Sequence, residues 1–228
     1  MSRALRLRAA RHFTPGELRA SEAGAVLHCL VLVPGSDWIA VDTHTGALVR
    51  ARSGRAGSAP FGSETPSEAA TQSLPGPALR AVELVLAHDT EPSDPARPEA
   101  VVLAGRPVPL PDPRRRPTRR LLRHLVTKSA DRPLLGTLGP SIAYGDLTGA
   151  RPSVVLVAPE RPPRFGAGPS GPWCQFSLSG RRHVLAMGAE GPPDKTTTGL
   201  SPKLLVVGLG TPRRGQVPKL VFGALPRI

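Results

Sequence analysis

Aromatic side chains are scarce in this sequence of 228 residues, which has two tryptophans, one tyrosine and five phenylalanines. Because most of these rings are needed to fill the core, nucleic-acid recognition by base stacking of the RNA-recognition-motif kind is disfavoured. If a nucleic acid is the partner, contacts with its backbone or with duplex shape are favoured. Trp173 and Phe165 are the rings that we regard as available to stack on a base.

Cysteine is equally scarce, and long apolar runs are missing from the sequence. Cys29 and Cys174 each lie in a strand-like stretch, where a free cysteine behaves as a small buried hydrophobe, so a disulfide is not implied. No run reaches the roughly 18 apolar residues that a membrane-spanning helix needs. The six histidines lack metal-ligand spacing. We therefore predict no transmembrane segment, no metal site and no cofactor.

Lysine is almost entirely replaced by arginine, and alanine, glycine and proline are abundant. This choice of residues is typical of a GC-rich genome. Such a bias does not favour bases over acids, because aspartate and glutamate codons can also be GC-rich. The formal net charge of +13 therefore needs a separate explanation.

The positive charge is concentrated in the second half of the chain. Residues 1–20 hold five basic residues and one acidic residue, residues 21–113 hold six and eleven, and residues 114–228 hold nineteen and five. A strongly basic segment beside a mildly acidic one indicates either a polyanionic partner or a well-solvated surface that binds nothing specific.

The same charge boundaries suggest the organisation of the chain. We predict a basic N-terminal arm (1–20), a β module (21–113) with a flexible insertion (53–78), and a basic helix followed by a second β module (114–228). The two modules may equally form one domain. An arginine-rich, nearly acid-free arm is also typical of an organelle transit peptide in a eukaryote, but the composition favours a bacterial arm. We expect a cytoplasmic protein, with organelle import as the eukaryotic alternative.

Short apolar runs between turn residues predict a mainly β fold, a barrel or sandwich of short antiparallel strands. Ala25–Val33, Trp38–Val41 and Ala47–Ala51 predict a meander whose first strand is buried on both faces. Arg106–Leu110 predicts an edge strand, because its prolines cannot donate to a ladder. The remaining strands are predicted at 79–87, 100–104, 141–144, 153–158, 174–177, 183–187, 203–207 and 219–222.

One short amphipathic helix is predicted at about 118–129, with Thr118 as its cap and Pro117 arguing against an earlier start. Leu121, Leu122 and Leu125 form an apolar stripe on this helix. Its other faces are basic, and a run of three arginines precedes it.

A faint internal echo links the two halves. The segment Val31–Pro34 is followed by Trp38, Gly46 and Val49, and the segment Leu156–Pro159 is followed by Trp173, Gly180 and Val184. Two related β modules would explain the echo. We favour chance, because β meanders reuse the same turn and strand residues.

The segments that resemble enzyme motifs are incomplete. The segment Asp42–Gly46 lacks the uninterrupted Asp-Thr-Gly of aspartic proteases and a second copy to supply the partner carboxylate, so it predicts a hairpin turn. The glycines of 207–215 precede a strand, whereas a dinucleotide site needs a helix there. His28 is interpreted as a core histidine. We predict no catalytic residue, and keep a hydrolase or transferase using His28, His44 or Asp42 as a third hypothesis.

Our first hypothesis is a non-enzymatic interaction protein that binds RNA or DNA through its arginine-rich second half, if the fold gathers the arginines on one face. The alternative is a protein-binding scaffold or assembly factor that uses Leu121, Leu122 and Leu125 and has no nucleic-acid role. The candidate binding residues are Arg114, Arg115, Arg116, Arg119, Arg120, Arg123, Arg181, Arg182, Arg213 and Arg214.

Overall fold

The structure, a computed structural model, describes residues 24–35, 37–53, 78–87, 94–111, 115–127, 133–188 and 204–226. The predicted arm at 1–20 and nearly all of the predicted insertion at 53–78 lie outside these ranges. The first half contributes β1 (Val26–Val33), β2 (Asp37–Asp42), β3 (Leu48–Ser53), β4 (Ala81–Val85), β5 (Ala100–Leu103) and β6 (Val108–Pro109). The second half contributes helix α1 (Arg115–Leu125), β7 (Ser141–Ala143), β8 (Val154–Val157), β9 (Arg164–Gly168), β10 (Gly171–Leu178), β11 (Arg181–Met187), β12 (Leu204–Leu209) and β13 (Gln216–Leu225).

The strands form two sheets, which confirms the mainly β fold with one short helix. Sheet 1 has the order β5-β3-β2-β1-β4-β6, and sheet 2 has the order β8-β12-β13-β11-β10-β9, with β7 beside β13. Both sheets are mixed, because β3 pairs with β5 and β11 pairs with β13 in parallel. The prediction of antiparallel strands alone was therefore wrong, and neither sheet is a closed barrel. The predicted β1-β2-β3 meander and the edge position of β6 are confirmed.

The two sheets share part of their strand connectivity. In each, an antiparallel meander (β1-β2-β3 or β9-β10-β11) is followed by two strands, and the last of these lies parallel to the third strand of the meander. In sheet 1, β1 pairs with β4 through its first half and with β2 through its second half. In sheet 2 two different strands make the corresponding pairs: β8 pairs with β12, and β9 pairs with β10.

Each sheet curls around its own apolar core. The first core is drawn from the strands of sheet 1 and their flanks, and Leu86, just beyond β4, bridges to Leu103 at the end of β5. The second core lies inside sheet 2. Cys29 belongs to the first core and Cys174 to the second, so the two are free thiols. Burial raises both pKa values, that of Cys174 to about 12, which leaves neither as a ready nucleophile.

A third core joins the outer faces of the two sheets. Leu30 and Leu32 of β1 face this core while Val31 faces the first one, so the second half of β1 is buried on both faces as predicted. Leu156 and Val206 contribute from sheet 2. Sheet 1 therefore covers this part of the outer surface of sheet 2.

A buried polar link crosses the same contact between the sheets. Arg50 on β3 is only 3% exposed and donates to the carbonyl oxygen of Leu209 (2.8 Å) and to Ser153 Oγ (3.4 Å). The Glu99 carboxylate accepts hydrogen bonds from the Ser153 amide (3.2 Å) and hydroxyl. Burial raises the pKa of Glu99, an effect that the Ser153 hydrogen bonds and the Arg50 charge oppose. The guanidinium of Arg50 also lies 5.1 Å from the centre of the Phe222 ring.

Helix α1 starts and ends earlier than the predicted 118–129. Pro117 lies in its first turn, where the missing amide costs no intrahelical hydrogen bond. Thr118 is a buried residue within the helix and not its cap. The helix ends at Leu125 because Val126 bridges to Leu156 and the Thr127 amide donates to the Leu156 carbonyl. Among the described residues, no helix is long and apolar enough to cross a membrane.

Candidate nucleic-acid interface

The outer surface of β9, β10 and β11 is partly exposed to solvent. Along β10, Cys174 and Phe176 point into the second core, so Trp173, Gln175 and Ser177 point outward. Across the strands, Trp173 stands opposite Gly166 and Ala186, Gln175 opposite Arg164 and Val184, and Ser177 opposite Arg182. We call these eight residues the Trp173 face. Arg164, Arg182 and Ala186 are exposed, and Val184 is 50% exposed.

The indole of Trp173 lies on the backbone of β9. A Cβ atom added at Gly166 would meet Cζ2, Cε2 and Cη2 of the indole at 2.3, 2.7 and 2.9 Å. A Cβ atom at Gly168 would meet Cδ1 and Nε1 at 3.7 Å. The six-membered ring therefore occupies the place of a side chain at position 166, and the five-membered ring extends toward Gly168. One face of the indole lies against β9, so the opposite face is the one turned away from this strand, and the residue as a whole is half-buried.

Basic side chains flank this ring. Arg182 donates to Gln175 Oε1 at 2.6 Å, and Arg164 lies next to Gln175 on the neighbouring strand. Arg181 is also exposed, one residue earlier on β11. No aspartate or glutamate occurs between Arg161 and Gly188 in the sequence. The Trp173 face is thus positively charged without a carboxylate of its own.

Arg213 and Arg214 form the tip of the β12–β13 hairpin. Amide and carbonyl groups of Arg213 and Gln216 exchange hydrogen bonds of 2.8 and 2.9 Å, and Arg214 and Gly215 have φ values of 50° and 73°. This is the left-handed conformation that tight hairpin turns require, and it leaves both arginines exposed. Because β11 and β13 run in parallel, these arginines lie at the same end of sheet 2 as Arg181 and Arg182. The β7 strand pairs with β13 beside them.

The helix arginines lie elsewhere. Arg119, Arg120 and Arg123 are exposed as predicted, but α1 leads into the bridge with Leu156 on β8. In the order of sheet 2, β12 and β13 separate β8 from β11. The predicted arginines therefore do not form one patch. Arg114 lies outside the described residues, and only the backbone of Arg115 and Arg116 is described.

The apolar stripe of α1 packs against the protein's own core. Leu122 is fully buried between the sheets, and Leu121 and Leu125 are half-buried against the same cluster. Leu121 Cδ1 would lie 3.8 Å from a Cβ atom at Gly46 in the β2–β3 turn. The surface that the scaffold hypothesis assigned to a protein partner is therefore largely occupied.

Two other basic residues, Lys219 and His183, face the interior of sheet 2. Lys219 Nζ donates to the Thr137 carbonyl at 2.6 Å, and burial lowers the pKa of Lys219 to about 8. His183 stacks on Phe176 with ring centres 5.2 Å apart. Burial lowers the pKa of His183, and the charges of Lys219 and Arg181 lower it further. His183 is therefore mainly neutral at pH 7, so the positive charge near the Trp173 face comes from arginine.

The Asp42 carboxylate of the enzyme hypothesis is engaged within its own turn. The Asp42 carboxylate accepts hydrogen bonds from the amides of His44 (3.2 Å) and Thr45 (3.1 Å) and from the Thr45 hydroxyl, so the predicted hairpin turn is confirmed. His28 has a 59% exposed side chain 3.4 Å from Glu83. Its interpretation as a core histidine was wrong, because the first residues of β1 extend beyond the contact between the sheets.

Sequence reasoning missed β9 and, with it, Arg164. The segment Arg164–Gly168 contains two glycines and one alanine, residues that are depleted in strands. The alternation of Cys174 and Phe176 with Gln175 and Ser177 was the available signal that one side of β10 faces outward. Comparison of the chain with protein-family models, curated proteins and solved structures found no match. The function of this surface must therefore follow from its own residues.

Proposed function

We propose that the protein is a non-enzymatic nucleic-acid-binding protein and that the Trp173 face is its contact surface. The observation that carries this proposal is the pair of exposed arginines, Arg164 and Arg182, on a β surface without carboxylates. Guanidinium groups donate paired hydrogen bonds that match phosphate oxygens, and they keep their charge at any physiological pH. A nucleic-acid partner agrees with the cytoplasmic location that we expect from the composition.

Neighbouring arginines extend the positive surface. Arg181 is exposed at the start of β11 on the side opposite to the Trp173 face, and Arg213 and Arg214 lie at the same end of sheet 2. Glu160 is a carboxylate near the β10–β11 turn, where it accepts a hydrogen bond from the Gly180 amide at 2.8 Å. Glu160 lies outside the strands, so the outward-facing row of Arg164, Gln175 and Val184 contains only neutral or positively charged side chains.

The salt dependence of binding tests this proposal. We expect a labelled oligonucleotide to bind with an affinity that falls steeply between low and physiological salt, because each phosphate contact releases a counterion. Three contacts to a single strand predict a log–log slope of about −2. Fluorescence anisotropy titrations at several salt concentrations measure this slope. No binding, or an affinity that does not change with salt, would contradict the proposal.

A further inference from the structure

Trp173 differs from the other described tryptophan and phenylalanine residues. Trp38 is 4% exposed in the first core, although the internal echo matches it to Trp173. Phe165 and Phe176 pack in the second core, and Phe222 packs against the core between the sheets. None of the four apolar clusters of described residues includes Trp173. Packing of the protein's own core therefore does not account for this ring.

The backbone of β9 beneath Trp173 explains the orientation of the indole. A side chain at Gly166 would occupy the space of the six-membered ring, at 2.3 Å from Cζ2. Glycine at this position lets the indole lie along β9 with its outer face free. Aromatic rings with one free face are the stacking platforms that bind single-stranded nucleic acids, because every base has a face that can stack.

The neighbouring residues are spaced to hold the flanking phosphates. Outward-facing rows on a strand are about 7 Å apart, since alternate residues share a face. Gln175 and Arg164 are one row from Trp173, and Arg182 is two rows away on β11 and reaches back to Gln175. A base on Trp173 would place the next phosphates of its strand beside these arginines.

We infer that the Trp173 face binds single-stranded nucleic acid, with one unpaired base stacked on the outer face of Trp173 and phosphates held by Arg164 and Arg182. This inference rests on the proposed function and narrows its substrate class. Bases within a duplex stack on one another, so their faces are closed to a protein ring. A duplex can therefore meet the arginines but not the indole.

The test compares a single strand with a hairpin duplex, using Trp173→Ala and Trp173→Phe proteins. Wild type should bind the single strand more tightly. Trp173→Ala should weaken single-strand binding about 5- to 150-fold, the usual loss of one stacking ring, and leave duplex binding unchanged. Trp173→Phe should keep most of the affinity, because phenylalanine still offers a stacking face. Val184→Ala, an apolar truncation of an exposed residue on the same face, is the control that should change little.

A pair of glycine variants tests the platform without removing the ring. Gly166→Ala should displace the indole and weaken single-strand binding as Trp173→Ala does. Gly168→Ala, whose Cβ atom would lie at 3.7 Å, should keep the wild-type affinity. Equal affinity for duplex and single strand would overturn the inference, and so would unchanged single-strand binding in both Trp173→Ala and Gly166→Ala. If binding still depended on salt in these cases, the proposed function would stand. Binding of neither oligonucleotide would overturn both.

Discussion

Glu99→Ala is expected to lower the free energy of unfolding by about 1–3 kcal/mol, the usual cost of leaving buried polar groups without their hydrogen-bond partner. Glu99 and Arg50 are each 3% exposed, and both reach Ser153 at the contact between the sheets. Without the carboxylate, the Arg50 charge stays buried and the Ser153 amide and hydroxyl lose their acceptor. Equilibrium unfolding in urea, followed by circular dichroism, measures the change.

Two further variants separate this polar link from a general effect of losing a carboxylate. Glu83→Ala removes an exposed glutamate 3.4 Å from His28 and should change stability by less than about 1 kcal/mol. The double variant Arg50→Met, Glu99→Met should be less destabilised than Glu99→Ala, because apolar side chains can replace a buried pair at little cost. A Glu99→Ala protein as stable as Glu83→Ala would show that the link contributes nothing.

Reversing two charges on the Trp173 face should abolish most of the nucleic-acid affinity. Arg164→Glu with Arg182→Glu removes two charge-assisted contacts of about 1.5 kcal/mol or more each, which amounts to about 100-fold or more in affinity. The salt dependence should become shallower by about 0.7 units of slope per lost contact with a single strand. The loss should be equal for oligonucleotides of different sequence, because phosphate contacts carry no sequence information. Anisotropy titrations of the double variant measure both quantities.

The helix offers the matched control. Arg119→Glu with Arg120→Glu makes the same change in charge on exposed residues that lie on the β8 side of sheet 2. We expect this variant to lose less than about tenfold in affinity, through long-range electrostatics alone. A loss as large as that of the Trp173-face variant would place the contact surface on the helix and contradict the site assignment.

Sequence patterns were sufficient for the local structure of this fold. The β-branched run of β1 and the turn residues after it predicted the first meander, and the leucine spacing predicted α1. The bounds of α1 were missed because a tertiary contact, the bridge from Val126 to Leu156, ends the helix. The parallel pairs β3–β5 and β11–β13 join strands that are distant in sequence, so no local pattern indicates them.

The candidate site was predictable in its residue types but not in its assembly. Of the candidate arginines from the sequence, Arg181 and Arg182 begin β11 in the structure, and Arg213 and Arg214 lie at the tip of the β12–β13 hairpin. The expectation that the few rings fill the core holds for Trp38 and Phe176 but not for Trp173. Its half-buried position on the outer surface depends on Gly166, whose role is visible only when β9 lies beside β10.

The fluorescence of Trp173 tests the central claim most directly. In a Trp38→Phe protein it is the one tryptophan left, since the sequence has two. Titration with a single-stranded oligonucleotide should quench its emission, because a base stacked on the indole provides a path for excited-state decay. The quenching should saturate together with the anisotropy of the labelled oligonucleotide. Binding seen by anisotropy without any change in tryptophan emission would contradict the assignment of this face as the single-strand site.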